Sequence, residues 1–252
     1  MSAAPENVEP QAAPACRLIV DPPASGAWNM AVDEVLLEAA LQGKCTVRCY
    51  QWSAATLSLG YFQPAAEAQS SQWAGTPAVR RLSGGGAILH DRELTYSFAM
   101  PATHPLARNP RDLYEIVHQQ VIELLAEQGA TVAPRGETKS ELKAEFLCFA
   151  RGDDFDLVHS GFKVLGSAQR RRQGTVLQHG SLVLHRSPQA PMFPGLCDLA
   201  QIELSAEALA MPLALRIARS LLGPNESGSL TAEERIRAEA LVHERYSHLQ
   251  WK

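Results

Sequence analysis

The chain has 252 residues, 46% of them apolar and 20% charged, with 17 Gly and 16 Pro. That balance supports a sizeable packed core and excludes disordered, collagen-like and low-complexity classes. The formal charge of −4 carries no global footprint for nucleic acid, and an odd, sparse set of five cysteines (16, 45, 49, 148 and 197) argues for free thiols in a reducing compartment rather than a secreted disulfide scaffold.

Residues 1–15 hold Ala, Pro and Glu but no basic or apolar signal region, which predicts a disordered tail and no secretory signal. No apolar run approaches the ~18 residues of a membrane span, so a cytoplasmic protein is expected. Arg17 to Val20 reads as a strand ended by Asp21-Pro22-Pro23, and Trp28 to Gln42 as a helix with Met30, Val32, Leu36, Leu37 and Leu41 at near-helical spacing. Thr46 to Trp52 and Thr56 to Phe62 are predicted strands around a Ser53-Ala54-Ala55 turn. Val79 to Leu82 and Ala87 to His90 are strand pieces flanking three glycines, and Leu94 to Met100 is a strand stopped by Pro101. Leu113 to Gln128 is an amphipathic helix closed by Gly129. Phe155 to His159 and Phe162 to Ala168 predict a hairpin across Ser160-Gly161, followed by a strand from Thr175 to His185. Two helical stretches, 205–222 and 231–248, flank the breaker Gly223-Pro224. Strands and helices mix without β-α-β alternation, which predicts an α+β fold with a mixed, largely antiparallel sheet, flanking helices and a short C-terminal helical tail. Residues 16–252 are read as a single domain, with 205–252 as its helical extension.

Two patches carry unusual chemistry. Arg80-Arg81-Leu82-Ser83-Gly84-Gly85-Gly86 costs backbone entropy, so something requires its glycines. Close approach of backbone N–H groups to a ligand oxygen is one explanation, and a hairpin turn or bulge is an equal one. The stretch matches neither the P-loop nor the dinucleotide fingerprint. The second patch is Gly161-Phe162-Lys163-Val164-Leu165-Gly166-Ser167-Ala168-Gln169 with Arg170, Arg171 and Arg172. Alternation puts Lys163 on the face opposite Phe162 and Val164, where a lone lysine is ordinarily solvated. Three arginines together fit a solvated hairpin end or a docking patch for an acidic partner. His179, in Gln178-His179-Gly180-Ser181, fits a core or turn histidine as well as a ligand contact.

In their order and spacing these segments resemble the cofactor-transferase family that attaches lipoyl and octanoyl groups to protein lysines, related in fold to the biotin ligases. The resemblance runs from Trp28 to His185 and includes Asn29-Met30-Ala31-Val32-Asp33-Glu34, Val47 to Trp52, Ser58 to Gln63, Arg80 to Asp91, Gly166 to Gln169 and Gln178 to Ser181. It implies an apolar acyl tunnel, with Arg81, Ser83, Gly84, Gly85, Gly86, His90, Gly166, Ser167, Ala168, His179 and Gly180 in contact with substrate. Burying seven methylenes in such a tunnel contributes ~5–6 kcal/mol before ordering costs. It also implies that Lys163 lies beside the reactive carbonyl.

The branches of the family differ in chemistry. Biotin ligases carry a GRGRxG kind of loop, whereas this chain reads Ser83-Gly84-Gly85-Gly86. Glu93-Leu94-Thr95-Tyr96-Ser97 and Cys148-Phe149 are similar to the octanoyltransferases that keep their cysteine in a loop ahead of the lysine. Between the two, Gly152 to Leu157 departs from the Pro-Ser-x-Tyr-Glu-Leu kind of sequence, while Phe155-Asp156 keeps the aromatic-acidic order.

The resemblance therefore implies an octanoyl-[acyl-carrier-protein]:protein N-octanoyltransferase in protein lipoylation. Cys148 is the expected nucleophile and Lys163 the cation that favours its thiolate. The expected partners are octanoyl-acyl carrier protein and lipoyl carrier domains such as the glycine-cleavage H protein, with no cofactor, metal, nucleic acid or membrane. Two alternatives stay open: an ATP-dependent lipoate-protein ligase, disfavoured because only 186–252 follow the last matched strand, and an enzyme that relays octanoyl between lipoyl domains.

Overall fold

The computed structural model describes residues 15–70, 73–136 and 153–249. After β1 (Cys16–Val20), α1 (Gly26–Leu41) begins two residues earlier than its apolar spacing predicts, because Ser25 Oγ accepts from Trp28 N at 3.3 Å and caps it. Next come β2 (Thr46–Tyr50), β3 (Thr56–Leu59), β4 (Ala78–Arg80), β5 (Ile88–His90) and β6 (Glu93–Met100). α2 (Pro110–Glu127) likewise starts early, with Pro110 in its first turn, where no amide donor is needed. β7 (Ala133–Pro134), β8 (Leu157–His159), β9 (Phe162–Arg172) and β10 (Thr175–Val183) follow, then α3 (Leu196–Ala200), α4 (Ala206–Ile217), β11 (Asn225–Ser227) and α5 (Ala232–Leu241).

The strands form an eight-stranded sheet, β11-β1-β2-β6-β10-β9-β8-β7, and a three-stranded sheet, β4-β3-β5. Pairing in the large sheet is antiparallel except for β1, which runs parallel to both β2 and β11. Leu18, Phe98 and Val176 pack towards α2 and α4, while their neighbours Ile19, Ala99 and Leu177 pack towards α1 and α5. Both faces are therefore covered, which is why the strands read as near-continuous apolar runs. The α+β expectation and the mixed, largely antiparallel sheet hold.

Three local expectations change. The runs around Ser53-Ala54-Ala55 do not pair: β2 enters the large sheet and β3 the small one. Trp52 diverts the chain between them, its indole donating to Thr95 Oγ1 at 2.9 Å and stacking on His90 at 3.9 Å. The breaker Gly223-Pro224 is followed by β11, which the helical reading did not contain; Cys16 N donates to Pro224 O at 2.6 Å and draws this segment beside β1. The three arginines do close a hairpin, but as the end of β9, which runs four residues past its expected limit at Ala168.

The core contains one dense polar knot. Arg48 on β2 is fully buried and donates to Asp33 Oδ1 at 3.1 Å, Asp21 Oδ2 at 2.6 Å and Asn29 Oδ1 at 2.9 Å. Asp33 also accepts from Tyr50 Oη at 3.0 Å and Ser97 Oγ at 2.8 Å. Burial pushes the Asp33 carboxyl up, but bonding to His179 and the charge of Arg48 outweigh it and hold it below its ordinary 3.8. A carboxyl depressed in the folded state adds stability above its unfolded value, and that stability is lost as pH falls through the folded value. Arg48→Met strands this carboxylate and is expected to cost ~3–5 kcal/mol. Urea denaturation checks this: the midpoint falls with an unchanged slope, and a variant as stable as the parent would contradict it.

Candidate functional site

Loop 81–87 does not form a hairpin. β4 and β5 lie on opposite sides of β3, parallel and antiparallel to it, so the three glycines carry the chain across the end of that strand. A Cβ on Gly60, the residue after β3, would sit 2.0 Å from the Gly85 carbonyl oxygen, and Gly85 takes φ of 93°. Crossing at backbone contact therefore explains Gly60 and Gly85. Arg81, almost completely buried, donates to the carbonyls of Ser58 at 2.8 Å and of Gly84 and Gly86 at 2.7 Å each. Arg80 gathers the carbonyls of Gly60, Tyr61 and Gln63. The two cations shape the loop by holding its oxygens.

Opposite the loop, β9 carries a bulge. Val158 pairs with Lys163 while the preceding Leu157 pairs with Leu165, so β9 has one residue more than β8 across this step. The extra residue changes the phase of the strand and brings Lys163 and Gly166 to the same face. A Cβ on Gly166 would fall 2.4 Å from Lys163 Cε and 2.6 Å from Nζ, so the lysine side chain lies directly across that glycine. Lys163 is 7% exposed, and its Nζ pairs with Asp156 Oδ1 at 2.8 Å. The solvated-face reading of Lys163 is thus corrected: the face it projects from is covered by the cavity wall and by Asp156, which meets its Nζ. Burial pushes the Asp156 carboxyl up and Lys163 pulls it back only in part, leaving it above its ordinary range.

Between these walls lies a cavity of about 140 Å³. Arg81, Gly84, Gly85, His90, Lys163, Gly166, Ser167, Ala168, His179 and Gly180 all line it. Of the remaining predicted contacts, Ser83 shares a 2.6 Å hydrogen bond with His179 Nε2, and Gly86 is tied to Arg81, so both brace the wall instead of forming it. His179 Nδ1 faces Asp33 Oδ2 at 3.6 Å; burial lowers the pKa of this imidazole despite that carboxylate. His90 Nδ1 bonds Glu93 Oε1 at 2.7 Å. Cys148 lies outside the described residues. Cys16, Cys45, Cys49 and Cys197 are free and buried, and burial raises all four thiols, Cys16 and Cys49 to about 12. Among the described residues no group of three or more His, Cys, Asp and Glu is placed to hold a metal ion, and no helix is long and apolar enough to cross a membrane.

Reading the sequence as separate motifs missed Asp156 as the partner of Lys163, and Asp33 behind His179. A signal for Asp33 was present: Asn29 and Asp33 stand one turn apart on the apolar face of α1 that carries Met30, Val32, Leu36 and Leu37. Trp52, Thr95 and Ser181 also line the cavity and carried no such signal.

Gly166→Ala tests the crossing of Lys163 over the strand. Its Cβ displaces the lysine from Asp156, so we expect catalytic activity to fall about 100-fold, on the scale of a roughly 1 Å misplacement, while Tm moves by only a few degrees. Steady-state kinetics alongside a thermal melt checks it; retained activity would show that Lys163 sits elsewhere.

The family described as lipoyl protein ligase A/B catalytic domain matches residues 25–192, from the cap of α1 to beyond β10. Octanoyltransferase LipM of Kyrpidia tusciae is 35% identical over 260 residues, covering 90% of this chain and 94% of that protein. Octanoyltransferase LipM of Brevibacillus brevis is 40% identical over 180 residues, covering 67% of this chain and 65% of that protein. A T. acidophilum protein solved with bound lipoic acid superposes with a TM-score of 0.75 at 21% identity, covering 94% of this chain and 98% of that one. Lipoate-protein ligase A solved with ATP gives 0.68 at 19%, covering 94% and 98%, and both likenesses speak to the fold alone. By the extent of the family match and the full-length relative, the chain belongs to the lipoyl protein ligase A/B catalytic domain family.

Proposed function

We propose that this enzyme is an octanoyltransferase of protein lipoylation that works through a thioester on Cys148. The observation that carries the mechanism is the buried Lys163–Asp156 pair at an apolar cavity walled by glycines and small residues. A straight acyl chain fits beside the glycine loop, where the space at Gly84 is open, and Met30 and Ile88 supply apolar contact. The donor is octanoyl-acyl carrier protein and the acceptor a lysine of a lipoyl domain such as the glycine-cleavage H protein. The Cys148 thiolate attacks the donor carbonyl; a new C–S bond forms, the carrier C–S bond breaks, and the carrier leaves as a thiolate that takes its proton from solvent. The acceptor's neutral amine then attacks the Cys148 thioester, forming the amide, and the thiolate returns as the amine sheds its proton to solvent.

Lys163 supplies the positive charge that favours thiolate over thiol and stabilises the oxyanion in both steps. Asp156 allows that charge to reside in an apolar wall. The high pKa values of the four described thiols support Cys148 as the nucleophile, since none of those four yields thiolate near neutrality. Catalytic contact of the glycine loop, His90 and His179 with the acyl group is part of the same proposal, as is the reading of 16–252 as one catalytic unit. No nucleotide enters the scheme.

Incubation with octanoyl-acyl carrier protein in the absence of ATP is expected to add one octanoyl mass to the intact protein and none to Cys148→Ala. An adduct that survives Cys148→Ala would overturn the thioester. Modification of a lipoyl domain only with ATP and free acid would favour a ligase, and an adduct formed only from an octanoylated lipoyl domain would favour a relay. Lys163→Met is expected to slow adduct formation about 10²–10³-fold, the scale of losing one preorganised oxyanion contact. Stopped-flow acylation measures it, and a rate within threefold of the parent would remove Lys163 from the mechanism.

A further inference from the structure

Behind the cavity wall runs a chain of hydrogen bonds in which every proton can be assigned. His118, on the buried face of α2, places Nδ1 2.7 Å from the Phe155 carbonyl oxygen. A carbonyl only accepts, so Nδ1 carries the proton and Nε2 of the neutral ring is an acceptor. Nε2 lies 2.7 Å from Ser167 Oγ, which must donate to it. Ser167 Oγ in turn accepts from Tyr96 Oη at 2.7 Å, and Tyr96 Oη accepts from Gln178 Nε2 at 3.0 Å. A Cβ on Gly180 would sit 2.4 Å from Ser167 Oγ and 2.5 Å from Tyr96 Cε1, so the chain also depends on that glycine.

The chain joins two parts of the site. Ser167 lines the cavity on β9. Phe155 precedes Asp156 in a turn closed by Asp156 N to Asp153 O at 3.0 Å and Asp153 N to Asp156 Oδ2 at 2.8 Å. The same turn is packed on α2 by stacking of Phe155 on Tyr114 at 5.3 Å.

The geometry assigns His118 a positioning role in acyl transfer: through its Nδ1–H it holds the turn that carries the counter-ion of Lys163, and through Nε2 it registers that turn against the cavity strand. This rests on the proposed octanoyl transfer for its kinetic readout only. Protonation would turn Nε2 into a donor, so that Ser167 Oγ would have to accept from it and give up its present direction in the chain. Burial lowers the pKa of His118 to about 4, reinforced by Lys163 and opposed by the Phe155 carbonyl and Asp153; Tyr114 meets the ring edge-on at 6.0 Å, and Arg111, Glu115 and Asp154 line the same cleft. With the folded value below the unfolded 6.5, stability is complete above pH 6.5 and falls as pH drops from there towards 4.

Three variants separate the two bonds. His118→Asn keeps a donor near the Nδ1 position for Phe155, His118→Gln keeps an acceptor near the Nε2 position for Ser167, and His118→Leu keeps neither. With every variant folded by circular dichroism, kcat for octanoyl transfer is expected to fall about 10- to 100-fold in the Leu variant, which keeps neither bond, and by less in the Asn and Gln variants, which keep one each. Equal kcat in all three, whether reduced or at the parental value, would overturn the positioning role. Two readouts do not need activity. The 15N signals of His118 are expected to report the Nδ1–H tautomer from pH 7 down to about 5, and the Asp156 amide is expected to exchange faster in the Leu variant than in the Asn variant. The opposite tautomer, or equal exchange, would also overturn the proposal. If the parent transfers no octanoyl but both of these hold, the proposed function fails and the link from His118 to the Asp156 turn stands.

Discussion

An ammonium inside an apolar wall is costly, and the shape of this molecule around β9 follows from making it tolerable. Lys163 is kept from water yet remains next to the cavity, which demands a carboxylate at hydrogen-bond distance and room for a four-carbon stem. Asp156 meets the first demand and Gly166 the second. The bulge between β8 and β9 brings the two together, because without the extra residue Lys163 and Gly166 would point to opposite faces. Hydrogen bonds within 153–156 then fix the carboxylate itself. A single buried charge thus accounts for a bulge, a glycine and a turn.

The glycine loop solves a different problem by related means. Its backbone passes over the end of β3 too closely for any Cβ at position 60. Such a crossing leaves carbonyl oxygens turned inward, where each needs a donor. Arg80 and Arg81 provide several donors apiece in a fixed planar geometry, so two adjacent side chains satisfy carbonyls on both strands of the crossing. These arginines are structural cations, unlike the exposed Arg172 at the hairpin end.

Residue patterns along the chain made much of this legible. Helical spacing located α1, α2, α4 and α5, with the cap at Ser25 and Pro110 in the first turn moving the starts of the first two. The clustering of Gly84, Gly85, Gly166, His179 and Gly180 around one cavity follows the family resemblance, and so does the membership. What escaped was the consequence of register. Alternation set Lys163 on a face where a lone lysine is ordinarily solvated, and only the pairing with β8 shows the extra residue that brings Gly166 beneath it. The crossing of β3 by the glycine loop escaped for the same reason, since adjacent strand pieces around glycines resemble a hairpin until the third strand between them is known. Asp33 and His118 each sat as a polar residue on an apolar helix face; their partners, His179 on β10 and Ser167 on β9, are distant in sequence.

The catalytic-domain match ends at residue 192, yet the structure that supports the cavity does not. Glu34 on α1, nearly inaccessible, is met by Arg245 and by Tyr246 Oη at 2.8 Å. Arg80, which gathers the loop carbonyls, also donates to the carbonyl of Leu249 at 3.0 Å, and Glu234 in α5 holds Arg17 of β1 at 2.6 Å. The C-terminal segment therefore closes α1 and braces the glycine crossing from behind, and a chain cut where the catalytic-domain match ends would lose these contacts to Glu34 and Arg80.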